Sequence, residues 1–134
     1  PRENVPAGEE CAGRLAVYDT RKALSDVAAW RQVDLRAFSP DACGFFSGTF
    51  DGTYVYLLPY ARGTTVRIDP RTGSIDRSTV QTHQSWSPVT GMAFDGRYIT
   101  FQGRTSTGGN TRGWVGRYDT KLPFSDDAAW KRFD

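Results

Sequence analysis

The sequence has no apolar run approaching the roughly 18 residues that a membrane helix requires, so no membrane span is expected. It has a single histidine, His83, and metal-ligand spacing is absent: there is no His-x-His, no Cys-x-x-Cys and no Asp-x-Asp-x-Asp-Gly loop. No metal and no cofactor are therefore expected. Net charge is only +2, and the basic residues, nearly all arginine, are scattered and interleaved with Asp19, Asp51, Asp69, Asp95 and Asp119. A nucleic-acid binder concentrates positive charge on one face, so nucleic acid is not an expected partner. The chain opens at Pro1 without an initiator methionine, which leads to the expectation that something upstream was removed, a signal peptide being one source. Long helices are also disfavoured, because 14 glycines and seven prolines are spread throughout.

Cysteine is scarce as well. Cys11 and Cys43 are compatible with one disulfide or with two separate thiols. The disulfide is the favoured reading because Cys11 sits in a polar segment, Pro1–Gly13, that otherwise lacks an anchor. It would close a loop of about 30 residues and contribute roughly 3 to 4 kcal/mol on the chain-entropy model. That reading in turn favours a secreted or extracytoplasmic protein.

What is present reads as one domain, 1–134, with 38% hydrophobic residues, enough to bury a core. Gly44–Asp69 (GFFSGTFDGTYVYLLPYARGTTVRID) contains three successive strands. The first alternates small and aromatic residues up to Asp51-Gly52, the second is β-branched and aromatic over Thr53–Leu58, and the third is Thr64–Ile68. Asp-Gly between two such runs is a hairpin signal, with both central residues of a type I′ turn at positive φ. The pattern returns as Pro88–Gln102 (PVTGMAFDGRYITFQ) followed by Trp114–Thr120 (WVGRYDT).

A second repeat overlaps the first. Arg14–Thr20 (RLAVYDT) and Ser25–Asp34 (SDVAAWRQVD) recur as Arg117–Thr120 (RYDT) and Ser125–Asp134 (SDDAAWKRFD). The offset is 100 residues for both Asp19/Asp119 and Trp30/Trp130, and Arg67-Ile68-Asp69 fills the slot halfway, so the period is 50. With strands a (GTFDG), b (TYVYLLP), c (TVRID) and d (AWRQVD), the chain reads c-d, a-b-c-d, a-b-c-d. Ser74–Gln81 fills the middle d slot without a tryptophan. Ser25 is the expected cap of a short helical turn before the Trp30 strand.

Four antiparallel strands per repeat of 40 to 50 residues is the signature of a β-propeller blade. The motifs FDG(R/T)Y, (R)YDT and F-S-D-x-A-A-W-x-x-F-D resemble the blade repeat of a group of bacterial β-propeller proteins of unclear function, over Arg14 to Asp134. The resemblance implies an all-β fold of about two and a half blades: a half-blade at 14–34 and repeats at 44–81 and 88–134. So short a stack leaves end faces and edges to be covered, by another copy of the chain, by the rest of a longer propeller, or by Pro1–Gly13 folding back.

The residues offer no catalytic set. His83 lies in a polar loop, and Gly108-Gly109 has neither the following helix nor the Lys-Ser/Thr pair of a phosphate loop, so it reads as part of an extended hairpin loop. The repeating aspartates read as turn residues holding backbone N–H groups, with carboxylate chemistry from adjacent blades as the alternative. Trp30 and Trp130 repeat and are expected to pack between blades. Trp86 and Trp114 break the repeat: Trp86 lies beside His83 and Gln84, and Trp114 closes the longest loop, Gln102–Gly113, which also carries Arg104 and Asn110. These six residues are the candidate ligand contacts, since a ring to stack on beside amide and guanidinium groups suits a glycan or another small polar ligand. Loops that merely cap the sheet ends are the alternative. The functional expectation is a non-enzymatic, lectin-like binding or interaction module, with a propeller-type glycoside hydrolase or lyase and a purely structural assembly unit as alternatives.

Overall fold

The computed structural model describes residues 12–60, 64–78, 89–107 and 110–133. These are all-β, and every described helical element is a single 3-10 turn. Ten strands are present among them: β1 (Arg14–Tyr18), β2 (Trp30–Asp34), β3 (Phe45–Phe50), β4 (Val55–Pro59), β5 (Val66–Ile68), β6 (Ile75–Arg77), β7 (Val89–Phe94), β8 (Tyr98–Thr107), β9 (Asn110–Asp119) and β10 (Trp130–Phe133). They form three antiparallel sheets, β1-β2, β3-β4-β5-β6 and β7-β8-β9-β10, each joining neighbours in chain order. No helix among the described residues is long and apolar enough to cross a membrane.

The sheets stack face to face, with the second in the middle. Alternation along β4 sends Tyr56 and Leu58 to one face and Leu57 to the other. Tyr56 and Leu58 join Ile99, Phe101, Trp114, Tyr118, Phe124 and Trp130 in an aromatic core against the third sheet. Leu57 packs on a smaller aliphatic core of Leu35, Ala42, Val66 and Ile68, which Leu15 and Val33 of the first sheet complete. β3 and β7 run beside one another, and the Val89 N–H donates to the Tyr60 carbonyl at 3.1 Å, tying the second sheet to the third.

The repeat is visible in matching geometry. Both β3/β4 and β7/β8 carry a register shift, between Phe45 and Ser47 and between Val89 and Gly91. Tyr18 stacks on Trp30 at 4.8 Å and Tyr118 on Trp130 at 4.5 Å. The Trp Nε1 donates to the Leu24 carbonyl in one copy and to the Phe124 carbonyl in the other. The two copies differ in exposure. Trp130 is buried between sheets, whereas Trp30 is 45% exposed on the outer face of the first sheet, so of the two only Trp130 packs as expected.

Three local expectations change. Asp51 is not a central turn residue: its N–H donates to the Tyr54 carbonyl, and its Oδ1 accepts from the Thr53 and Tyr54 N–H groups. Asp95 does the same for Arg97 and Tyr98, which leaves Gly52 (φ 96°) and Gly96 (φ 104°) to make the turn. Asp26, not Ser25, caps the turn before Trp30, because its carboxylate reaches the Ala28 N–H at 2.8 Å. Of the expected loop Gln102–Gly113, Gln102–Thr107 and Asn110–Gly113 are strand, and Gly108 and Gly109 lie outside the described residues. β8 and β9 continue there as a two-stranded ribbon paired out to Thr107 and Asn110, as the β-branched residues at 105, 107 and 111 favour.

Candidate functional site

The outer face of the third sheet carries a shallow groove of about 490 Å³ lined by Thr90, Gln102, Gly103, Gly113, Trp114, Val115 and Phe133. Phe133 and Val115 are opposite one another on β10 and β9, and both are substantially exposed. Beside them the Arg117 guanidinium sits 4.3 Å from the centre of the Tyr98 ring and 5.6 Å from that of Phe133. The same arrangement occurs inside the molecule. Arg67, fifty residues earlier, lies 4.4 Å over Tyr54 and 5.0 Å over Phe124, which is supplied by the next sheet. Arg67 is also ion-paired to Asp76 at 2.9 Å, whereas Arg117 has Lys131 opposite it across the ladder.

Of the six candidate ligand contacts, His83, Gln84 and Trp86 lie outside the described residues. Arg104 is exposed on β8, and Asn110 begins β9. Trp114 is only 3% exposed, its ring meeting the Phe101 ring at 83° and the Arg132 guanidinium at 5.0 Å. It therefore belongs to the aromatic core and contributes only to the groove wall, because its place on β9 faces the second sheet. Phe133, Val115 and Gln102 were the residues missed. Their signal was available, since they alternate with Trp114 and Trp130 and so had to face away from the core. Cys43 is buried and disulfide-bonded, and Cys11, the only other cysteine of the chain, lies outside the described residues.

The aspartates are engaged with backbone and arginine. Asp19, Asp69 and Asp119 each accept the N–H two residues on, from Arg21, Arg71 and Lys121. A guanidinium closes on each carboxylate: Arg21 on Asp19 at 2.9 Å, Arg71 on Asp69 at 3.2 Å and Arg97 on Asp119 at 2.7 Å. The Arg21 side-chain hydrogen bonds hold the Asp19 carboxyl down to about 2. The Asp69 and Asp119 carboxyls are lowered in the same way by Arg71 and Arg97, and Asp95 is lowered by the Tyr98 and Arg97 N–H groups. Buried Tyr56 and Tyr118 shift the other way: desolvation raises both, Tyr118 to about 12. None of these shifts poises an acid or base near neutrality, as proton transfer in a reaction would require.

Among the described residues no three His, Cys, Asp or Glu side chains gather as metal ligands would. Comparison with family models, with curated proteins and with solved structures found no match.

Proposed function

We propose that this chain is a non-enzymatic interaction module built of β-propeller-type blades, and that what it recognises is another blade of the same kind, supplied by a second copy. The observation that carries this reading is the repeated Arg-on-Tyr arrangement. Arg67 and Tyr54 form half of the joint between the second and third sheets, and Arg117 and Tyr98 rebuild that half on an open face. The complementary half is open at the other end of the stack. Tyr18, Leu24 and Trp30 stand 100 residues before Tyr118, Phe124 and Trp130, the residues that cover Tyr56 inside the molecule. Leu24 is 68% exposed and Trp30 45% exposed, the apolar area an interface of this kind would bury.

Contact between unlike ends is heterologous, so copies add head to tail until a ring closes. Sedimentation velocity at micromolar concentration tests this with two exposed variants, Leu24→Glu at one end and Val115→Glu at the other. Association of the wild type, its loss in each variant, and a 1:1 dimer on mixing the two variants are the expected results. A wild-type chain that sediments as a monomer would overturn the reading.

The groove on the third sheet favours a second reading, a glycan site. Half-exposed Phe133 offers a ring face, and Gln102 and Thr90 offer hydroxyl partners. A glycan array probed with wild type and Phe133→Ala decides it: binding that Phe133→Ala abolishes supports the glycan site, and no binding to any glycan removes it.

A further inference from the structure

β1 and β2 occur in the same form as β9 and β10, but β9 has a further partner, β8, which belongs to the β7-β8 hairpin. The opposite edge of β1 pairs with no strand among the described residues. The register of the missing partner is fixed by the other two sheets, which agree. Val55 pairs Ile68 as Ile99 pairs Tyr118, Tyr56 pairs Arg67 as Thr100 pairs Arg117, and Leu57 pairs Val66 as Phe101 pairs Gly116. Shifted to the first sheet, those three positions fall on Tyr18, Val17 and Ala16. We infer that the edge of β1 is an acceptor for a β-hairpin of the β3-β4 type, one with a neutral residue after Asp-Gly and an aliphatic residue opposite Ala16.

The first determinant is Arg21. Each carboxylate at the end of these strands holds one guanidinium, which comes from one of two places. Asp119 takes Arg97 from the hairpin turn and has Lys121 two residues on. Asp69 takes Arg71 from two residues on, and the hairpin turn there carries Thr53. Asp19 already holds Arg21 through both carboxylate oxygens, at 2.9 Å each, so a second guanidinium from an incoming turn would meet like charge and compete with Arg21 for an engaged carboxylate. Thr20 supplies the contact that does not depend on the turn residue. Its counterpart Thr120 donates both N–H and hydroxyl to the Arg97 carbonyl, at 3.1 and 2.7 Å, and neither group of Thr20 has a partner among the described residues.

The second determinant is Ala16. Phe101 fits opposite Gly116 because no side chain is there: a Cβ at Gly116 would stand 2.3 Å from the Phe101 ring. Ala16 occupies the Gly116 position and carries that Cβ, which rejects a Phe101-like ring and admits a residue like Leu57, which lies opposite Val66 in the second sheet. Arg21 and Ala16 thus select independently for the same hairpin.

This deepens the blade reading and rests on it, but the two tests fail separately. The probe is a synthetic peptide of this chain's own Gly44–Pro59 sequence, titrated into the intact protein and followed by backbone amide shifts. Binding should move the amides of β1 and Thr20. A Thr53→Arg peptide and a Leu57→Phe peptide should each bind about tenfold more weakly. Arg21→Lys in the protein should restore the first and Ala16→Gly the second; both positions are exposed, so the variants keep the fold. Unmoved β1 amides, equal binding by the three peptides, or swaps that fail to restore binding would overturn the inference. A monomeric protein that takes up the peptide selectively would overturn association through the end faces and leave this acceptor edge standing.

Discussion

Asp119 stabilises the fold only while ionised, because the Arg97 guanidinium and the Lys121 N–H both address a carboxylate. Asp19 and Asp69 are held in the same way, and Asp95 by the Tyr98 and Arg97 N–H groups. A carboxyl whose folded pKa lies below its unfolded value of 3.8 contributes fully above that value and loses its contribution as pH falls through the folded one. Thermal midpoints should therefore be level from neutrality to about pH 5 and fall between about pH 4 and 2, with a smaller fall in Asp119→Ala. A midpoint as high at the acid end as at neutrality would contradict this. Tyr118 has the opposite sign: its folded pKa, about 12, exceeds the unfolded 10.0, so its contribution is complete below pH 10 and lost above. Alkaline titration of phenol absorbance should show Tyr56 and Tyr118 ionising only as the protein unfolds. The turn task of the repeating aspartates was legible from their fixed register in the sequence. Which arginine each one holds was not, because the choice between Arg71 and Arg97 depends on a cross-strand approach that a linear spacing does not encode.

At the scale of the element, the β8-β9 ribbon is held where Phe101 lies across Gly116. Gly116→Ala should cost about 1 to 3 kcal/mol, the usual range for overpacking a core. Adding Phe101→Leu, the pairing already used at Leu57 and Val66, should recover part of that loss, so the double variant is more stable than the sum of the singles predicts. Urea unfolding of the four proteins measures this, and strict additivity would count against the steric account. The strands themselves were readable from alternation and from Asp-Gly, and the four-strand order from the spacing of FDG and YDT. The ribbon over 102–107 and 110–113 is hidden in the sequence because glycines such as Gly103 and Gly113 look like loop punctuation, whereas here they pair across the ladder with Trp114 and Arg104. Phe133 was legible too, since alternation along β10 places it opposite in face to Trp130 and so on the open side.

Across the whole molecule, one motif has two values because it occupies two places in the stack. Trp130→Ala should cost about 3 to 5 kcal/mol, the range for removing a buried tryptophan. Trp30→Ala, with the same backbone turn and the same stacked tyrosine but an open outer face, should cost no more than about 1 to 2. Equal losses would mean that stacking on tyrosine within the pair, and not burial between sheets, sets the energy. The two joints of the stack are also unequal: aromatic rings bind the third sheet to the second, whereas Leu35, Ala42, Val66 and Ile68 bind the first. In a linear array each layer answers only to its neighbours, so this inequality becomes an order in time. Deuterium should enter β1 and β2 through openings that leave the rest shut, while the amides around Tyr118 wait for the whole chain to come apart.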